Sequence, residues 1–173
     1  MKIIKKIYDS VSWASEWTGK TVRWLSVAII GVVCYEVFMR YVFNMPTTWV
    51  WCASYMLGAC LIAGGLAYVY YHEGHVRIDI IYNQFSPKTK LVIDIFFTLI
   101  FFFPLVFMLT LVFFQDAWFA YSIGEVDGTT IWLPITWPYK TGIAIGLALL
   151  FLQGTVTFLR DITALAKGAK EPW

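Results

Sequence analysis

Charge is scarce in this sequence. Only 14% of its 173 residues are charged, against roughly 25% in soluble domains. The formal net charge of +2 is too small to point to nucleic acid as a partner. Histidine is nearly missing: His72 and His75 are the whole supply, and neither lies deep in an apolar run. A helical cytochrome ligates its haem iron from residues on its helices, commonly histidine, so that class is set aside. The three cysteines, Cys34, Cys52 and Cys60, form no C-x-x-C pair. Neither a disulfide framework nor a zinc knuckle is therefore expected, and a membrane redox enzyme is disfavoured on the same grounds.

What the chain has in excess is apolar surface, with 60% hydrophobic and 19% aromatic residues. A soluble domain of this size has too little interior to hide that much, so part of its solvent must be lipid. A bilayer core about 30 Å thick takes about 20 apolar residues per helix. The stretches 22–43, 48–71, 91–116 and 138–160 each meet that length, and 161–173 follows as a tail. Pro104 falls inside the third stretch and is expected to kink it. Ser86-Pro87 reads as the opening of the third helix. In 1–18, Ile3, Ile4, Ile7, Val11 and Ala14 recur at helical spacing, with lysines opposite and Trp13 and Trp17 suited to a membrane interface. The expected fold is an all-α membrane protein: one membrane domain of four transmembrane helices, preceded by an amphipathic interfacial helix that contacts lipid.

The basic residues give an orientation. Lys2, Lys5, Lys6, Lys20, Arg23, Arg77, Lys88, Lys90, Arg160, Lys167 and Lys170 fall on one side of the four spans. Only Arg40 and Lys140 fall on the other, together with Asp116, Glu125 and Asp127. The positive-inside rule then makes both termini cytoplasmic. The lysine-rich start lacks a continuous apolar core and a small-residue cleavage site, so no cleavable signal is expected there. Small residues mark where helices approach closely: Ala59, Ala63 and Ala67 beside Cys60 and Gly64 in the second span, and Gly142, Gly146 and Gly154 in the fourth.

Two groups of residues invite a chemical reading. His72, Glu73 and His75 sit within four positions, with Asp79 nearby. A helical zinc site spaces its histidines four apart, so that both project from one face. Here they are three apart around Gly74, and no metal site is expected. Glu36 and Arg40 are ionisable groups inside the first span, where such groups are costly and usually functional. Their i, i+4 order, acid first, favours a pair on one helix face. A salt bridge near the interface and a polar contact to another helix, in this chain or a partner, are both open. One reading of the whole is a self-sufficient homodimeric four-helix exporter that uses Glu36. Against it, the chain offers no repeat and little polar chemistry at mid-depth beyond Cys60, Gly64, Thr110 and Gln153.

In order and spacing, "EVFMRYVFNMPTTW", Glu36 to Trp49, followed one helix later by "GHVRIDI", Gly74 to Ile80, resembles the small membrane subunit of tripartite ATP-independent periplasmic (TRAP) transporters, the DctQ type. The likeness includes "FSPKTK" and the four-span layout. It implies a scaffold in the bacterial inner membrane, without catalysis or cofactor, that partners a large DctM-type membrane subunit and a periplasmic substrate-binding protein. Such an assembly imports an organic anion, a carboxylate or sulfonate, with sodium. The matching positions imply an interface role for Glu36, Arg40, Asn44, Trp49, His75, Arg77 and Asp79. Where family members commonly place acids after the tryptophan, this chain reads Val50-Trp51-Cys52-Ala53. In the acidic loop between the last two spans, Glu125 and Asp127 are candidates for receiving the binding protein.

Overall fold

The computed structural model describes residues 2–72 and 85–166. His75, Arg77 and Asp79 lie outside the described residues, as do Glu73 and the end of the tail. The helices are α1 (Lys2–Val42), α2 (Val50–Tyr71), α3 (Pro87–Phe97), α4 (Phe103–Ile123) and α5 (Trp137–Ala166). A π-helical turn, Thr98–Phe102, joins α3 to α4 into one continuous span. Four helical runs are thus long and apolar enough to cross a membrane.

The interfacial segment and the first span are one unbroken helix of 41 residues, about 60 Å long at 1.5 Å per residue. Between them stand Thr18, Gly19, Lys20 and Thr21, with no proline. A single glycine costs a helix only about 1 kcal/mol. The two threonines bond back into the helix, Thr18 Oγ1 to the Ala14 carbonyl (2.8 Å) and Thr21 Oγ1 to that of Trp17 (2.9 Å), so neither competes with it.

The side chains that α1 buries deepest in its first half are polar. Ser12 and Ser15 are buried, whereas Val11 and Ala14 of the apolar stripe are half-buried and Ile7 is exposed, as are Trp13 and Trp17. Packing follows the small residues: Tyr68 fills the space where a Gly19 side chain would stand, and Val22 presses on Gly64. In lipid, apolar side chains have no reason to turn inward, and close approach of backbones decides the contact.

At Pro104 the span widens into the π turn. Proline brings no N–H, and in a straight α-helix its ring would press on the Ile100 carbonyl. The π turn spreads the backbone there, and the Phe103 N–H reaches back five residues to the Thr98 carbonyl. The α3 helix starts at Pro87, with Ser86 as N-cap accepting from the Thr89 N–H (3.3 Å). At the far end α5 runs six residues beyond 160, to Ala166.

The inner pair of the bundle is α2 and α5, with α1 packed on both and α4 packed on α5. The α2–α5 crossing is closest at Gly146, where an added Cβ would lie 2.5 Å from the Ala63 carbonyl carbon and oxygen. Gly142 faces Cys60 Sγ, and the Phe102 ring occupies the space beside Gly154. Ala67, Val106 and Leu150 form the buried apolar centre. The small residues picked out by spacing therefore meet within this chain. The outward surfaces of α1 and of the α3–α4 span are lined by large exposed apolar side chains.

Candidate functional site

At the end of the bundle opposite the termini, Glu36 holds the corner between α1 and α2. Its side chain is 11% exposed, that of Arg40 57%. Arg40 donates to Glu36 Oε1 from Nε (3.1 Å) and Nη2 (2.6 Å). The other oxygen, Oε2, accepts from the Thr47 N–H (3.0 Å) and the Thr47 hydroxyl. Of the alternatives open from the sequence, the structure shows the internal pair, and Thr47 as a further partner that spacing gave no means of finding. Asn44 contributes through its backbone: at φ 53° it takes the left-handed conformation that asparagine tolerates best among residues with a side chain. That reverses the chain, and the Met45 N–H closes onto the Met39 carbonyl (3.1 Å). Trp49 follows at the start of α2, its ring 5.8 Å from Tyr35 and 6.3 Å from Trp132. Glu36, Arg40, Asn44 and Trp49 thus belong to one structural corner.

Beside it lies the loop 124–136. Gly124 ends α4 in the left-handed conformation, φ 62°. The loop then doubles back on itself, with Val126 bridged to Ile135, the Asp127 N–H on the Pro134 carbonyl (2.9 Å) and the Thr136 N–H on the Glu125 carbonyl (3.0 Å). Both acids named from the sequence are engaged. Buried Lys140, from the first turns of α5, donates to Glu125 (2.7 Å) and to Asp116 at the end of α4 (3.1 Å). Asp127 accepts from the Tyr55 hydroxyl on α2 and from the Thr129 N–H (2.8 Å). These bonds, Tyr55 first and Thr129 next, hold the Asp127 carboxyl below the usual carboxylate range. Fully buried Cys52 adds a weak thiol bond to Asp127 (3.9 Å) and sits 3.3 Å from Thr130 Oγ1. Lys140 and Asp116 were visible in the sequence only as isolated charges next to spans. Tyr55 gave no signal at all.

Toward the other end, Gln153 on α5 is fully buried between Ser15, which donates to its Oε1 (3.0 Å), and Ser12, which accepts from its Nε2 (3.3 Å). Arg160 bonds the Tyr8 hydroxyl (3.1 Å) and pairs with Asp161 (3.2 Å). His72 ends α2 with its ring tilted against that of Tyr68, centroids 4.4 Å apart. Among the described residues no three His, Cys, Asp or Glu side chains converge as a metal would need.

Most side chains placed here tie one helix or loop to another. Ser12, Ser15, Glu36, Thr136, Lys140 and Gln153, the buried polar residues among those described, each hold hydrogen bonds within the chain. A buried Ser54 hydroxyl is the exception among side-chain polar atoms. No curated protein matches the chain. The family model described as tripartite ATP-independent periplasmic transporters, DctQ component, matches residues 29–164. The match begins inside α1, takes in the Glu36 corner and the Lys140 loop, and ends in the last turn of α5. This multi-pass membrane chain belongs to the DctQ component family of TRAP transporters.

Proposed function

We propose that the chain is the scaffold subunit of a sodium-coupled TRAP transporter, docking against a large DctM-type subunit that carries the ion and substrate sites. A periplasmic binding protein delivers an organic anion, a carboxylate or sulfonate. The chain sits in the bacterial inner membrane with both termini cytoplasmic, as the basic residues argue. One observation carries the reading: the buried charged and amide groups of the spans are used up in holding the bundle together. A translocation site needs polar groups free to meet a solute near mid-depth, and Glu36, Lys140 and Gln153 are spent on partners of the same chain. Both oxygens of Glu36 are bonded, which disfavours the exporter alternative.

Within this proposal Glu36, Arg40, Asn44 and Trp49 shape the corner that meets the large subunit, and Arg40 and Asn44 are its exposed members. His75, Arg77 and Asp79 join that interface on the strength of the family motif. Glu125 and Asp127 serve the receiving of the binding protein by fixing the shape of the loop, since their charge is already met by Lys140 and Tyr55. Purification from the native membrane tests the reading: a stoichiometric larger membrane protein should accompany the chain. Proteoliposomes holding this chain alone, given a sodium gradient and the binding protein, should take up nothing. Uptake there, or a purified homodimer with no larger partner, would favour the exporter. Reporter fusions at Gly124 and Gly168 should give periplasmic and cytoplasmic signals, and like signals would reject the orientation.

A further inference from the structure

The tip of the 124–136 loop carries the most exposed large hydrophobic residue of the described chain, Ile131, at 87%. Trp132 and Leu133 beside it are half-exposed, and Leu133 is held at φ 48°, a conformation uncommon for a residue with a side chain. We propose that Ile131-Trp132-Leu133 is a membrane anchor, inserted among lipid headgroups and the first carbons of the acyl chains beside the start of α2.

Two observations choose lipid as the occupant. The first is height. The loop lies across the end of the bundle instead of standing off it: Trp132 packs edge-on against Trp49, and Thr130 sits against Cys52 in the first turn of α2. Those are positions where an apolar span begins, so the tip is level with the boundary of the hydrocarbon. Exposed Trp51 and Trp118 and half-exposed Trp137 stand at the same ends of their helices, as the aromatic belt of a membrane protein does.

The second is charge. Between Val126 and Thr136 the one charged residue is Asp127, and it is turned inward onto Tyr55 and the Thr129 N–H. Glu125, which precedes them, is paired with Lys140, which it shares with Asp116. From Gly128 to Thr136 the loop carries no charged side chain, so the tip itself has no charge to hold it in water.

The inference needs only that the chain spans a membrane, so it stands or falls apart from the scaffold reading. The test places the fluorescent amino acid dansylalanine at residue 131 of the full chain, in nanodiscs of phosphatidylethanolamine and phosphatidylglycerol. It is read with and without the co-purified large subunit. The expected result is blue-shifted emission, strong loss of intensity with lipids carrying a nitroxide near the headgroup, and weak loss with aqueous iodide, the same in both preparations. Asp127→Ala should undo the clasp, raising iodide quenching and lowering lipid quenching at the same probe. If the residue 131 variant does not fold, the probe at residue 133 reads the same depth. Iodide quenching as strong as for the free amino acid would place the tip in water and overturn the proposal. Protection from iodide that appears only with the large subunit would assign the tip to protein and overturn it equally.

Discussion

Gly146→Ala is the sharpest test of the bundle. The new Cβ would lie 2.5 Å from the carbonyl carbon and oxygen of Ala63 and 2.9 Å from the Gly64 nitrogen. Carbon atoms pack comfortably at about 3.5–4.0 Å, so α2 and α5 must part by about 1 Å. No rotamer change relieves this, because the atoms met are backbone. Overpacking of this kind costs about 1–3 kcal/mol. Alanine returns at most about 1 kcal/mol through its helix propensity, and a backbone contact at 2.5 Å puts the cost at the upper end of that range, leaving a net loss of about 2 kcal/mol. At roughly 2–4 °C per kcal/mol for a chain of this length, the midpoint should fall by several degrees. The assay is heating of detergent-solubilised protein followed by fluorescence-detected size exclusion. Gly58→Ala is the internal control, since nothing lies within 4 Å of its Cβ, and it should leave the midpoint unchanged or raise it. A Gly146→Ala protein as stable as wild type, in the same series, would refute the close crossing.

At the corner, Arg40→Ala should weaken assembly with the large subunit, and Glu36→Gln should weaken it too, because Arg40 and Thr47 both bond the carboxylate. A fully assembled Glu36→Gln complex with a shifted pH dependence of uptake would assign Glu36 to proton relay instead. Gln153→Leu should cost about 1–3 kcal/mol by stranding the Ser12 and Ser15 hydroxyls, and it should speed proteolysis near residue 10; unchanged cleavage would show that the pair does not hold α1. The Asp127 carboxyl lies below its ordinary value in the folded loop. Its contribution to loop stability should therefore be complete above the ordinary carboxylate pKa and be lost as pH falls through the lowered one. Hydrogen exchange of the Thr129 and Thr136 amides reads this, and Asp127→Asn should flatten the acid dependence.

The spans were legible because length and apolarity alone decide them, and Glu36 with Arg40 because charge inside an apolar run has few innocent explanations. The small-residue stripes named the helix crossings for a similar reason: only residues such as Gly146 and Ala63 allow backbones so near. What escaped was pairing across turns. Thr47 lies eleven residues from Glu36, and Lys140 lies fifteen and twenty-four from its acids, so neither periodicity nor composition links them. The buried face of the first helix escaped for a different reason. The apolar stripe named there holds half-buried Val11 and Ala14, while small polar Ser12 and Ser15 with Gly19 mark the docked side. Pro104 pointed to a disturbance in the third span, but the form of that disturbance depended on how the backbone spread to admit its ring.

That π turn also changes the arithmetic of the span. A π turn holds one residue more than the α-helix around it would need, and each α-helical residue turns the chain by about 100°. The residues of α3 are therefore phased about a quarter-turn away from where an unbroken helix through α4 would put them. Buried Leu91 and buried Val106 share an inward side: the turn leaves them about 40° apart around the axis, as a plain helix one residue shorter would. Shortening Thr98–Phe102 by one residue would therefore keep both halves on their present faces. What it would remove is the slack at Pro104, returning the ring to the carbonyl four residues before it.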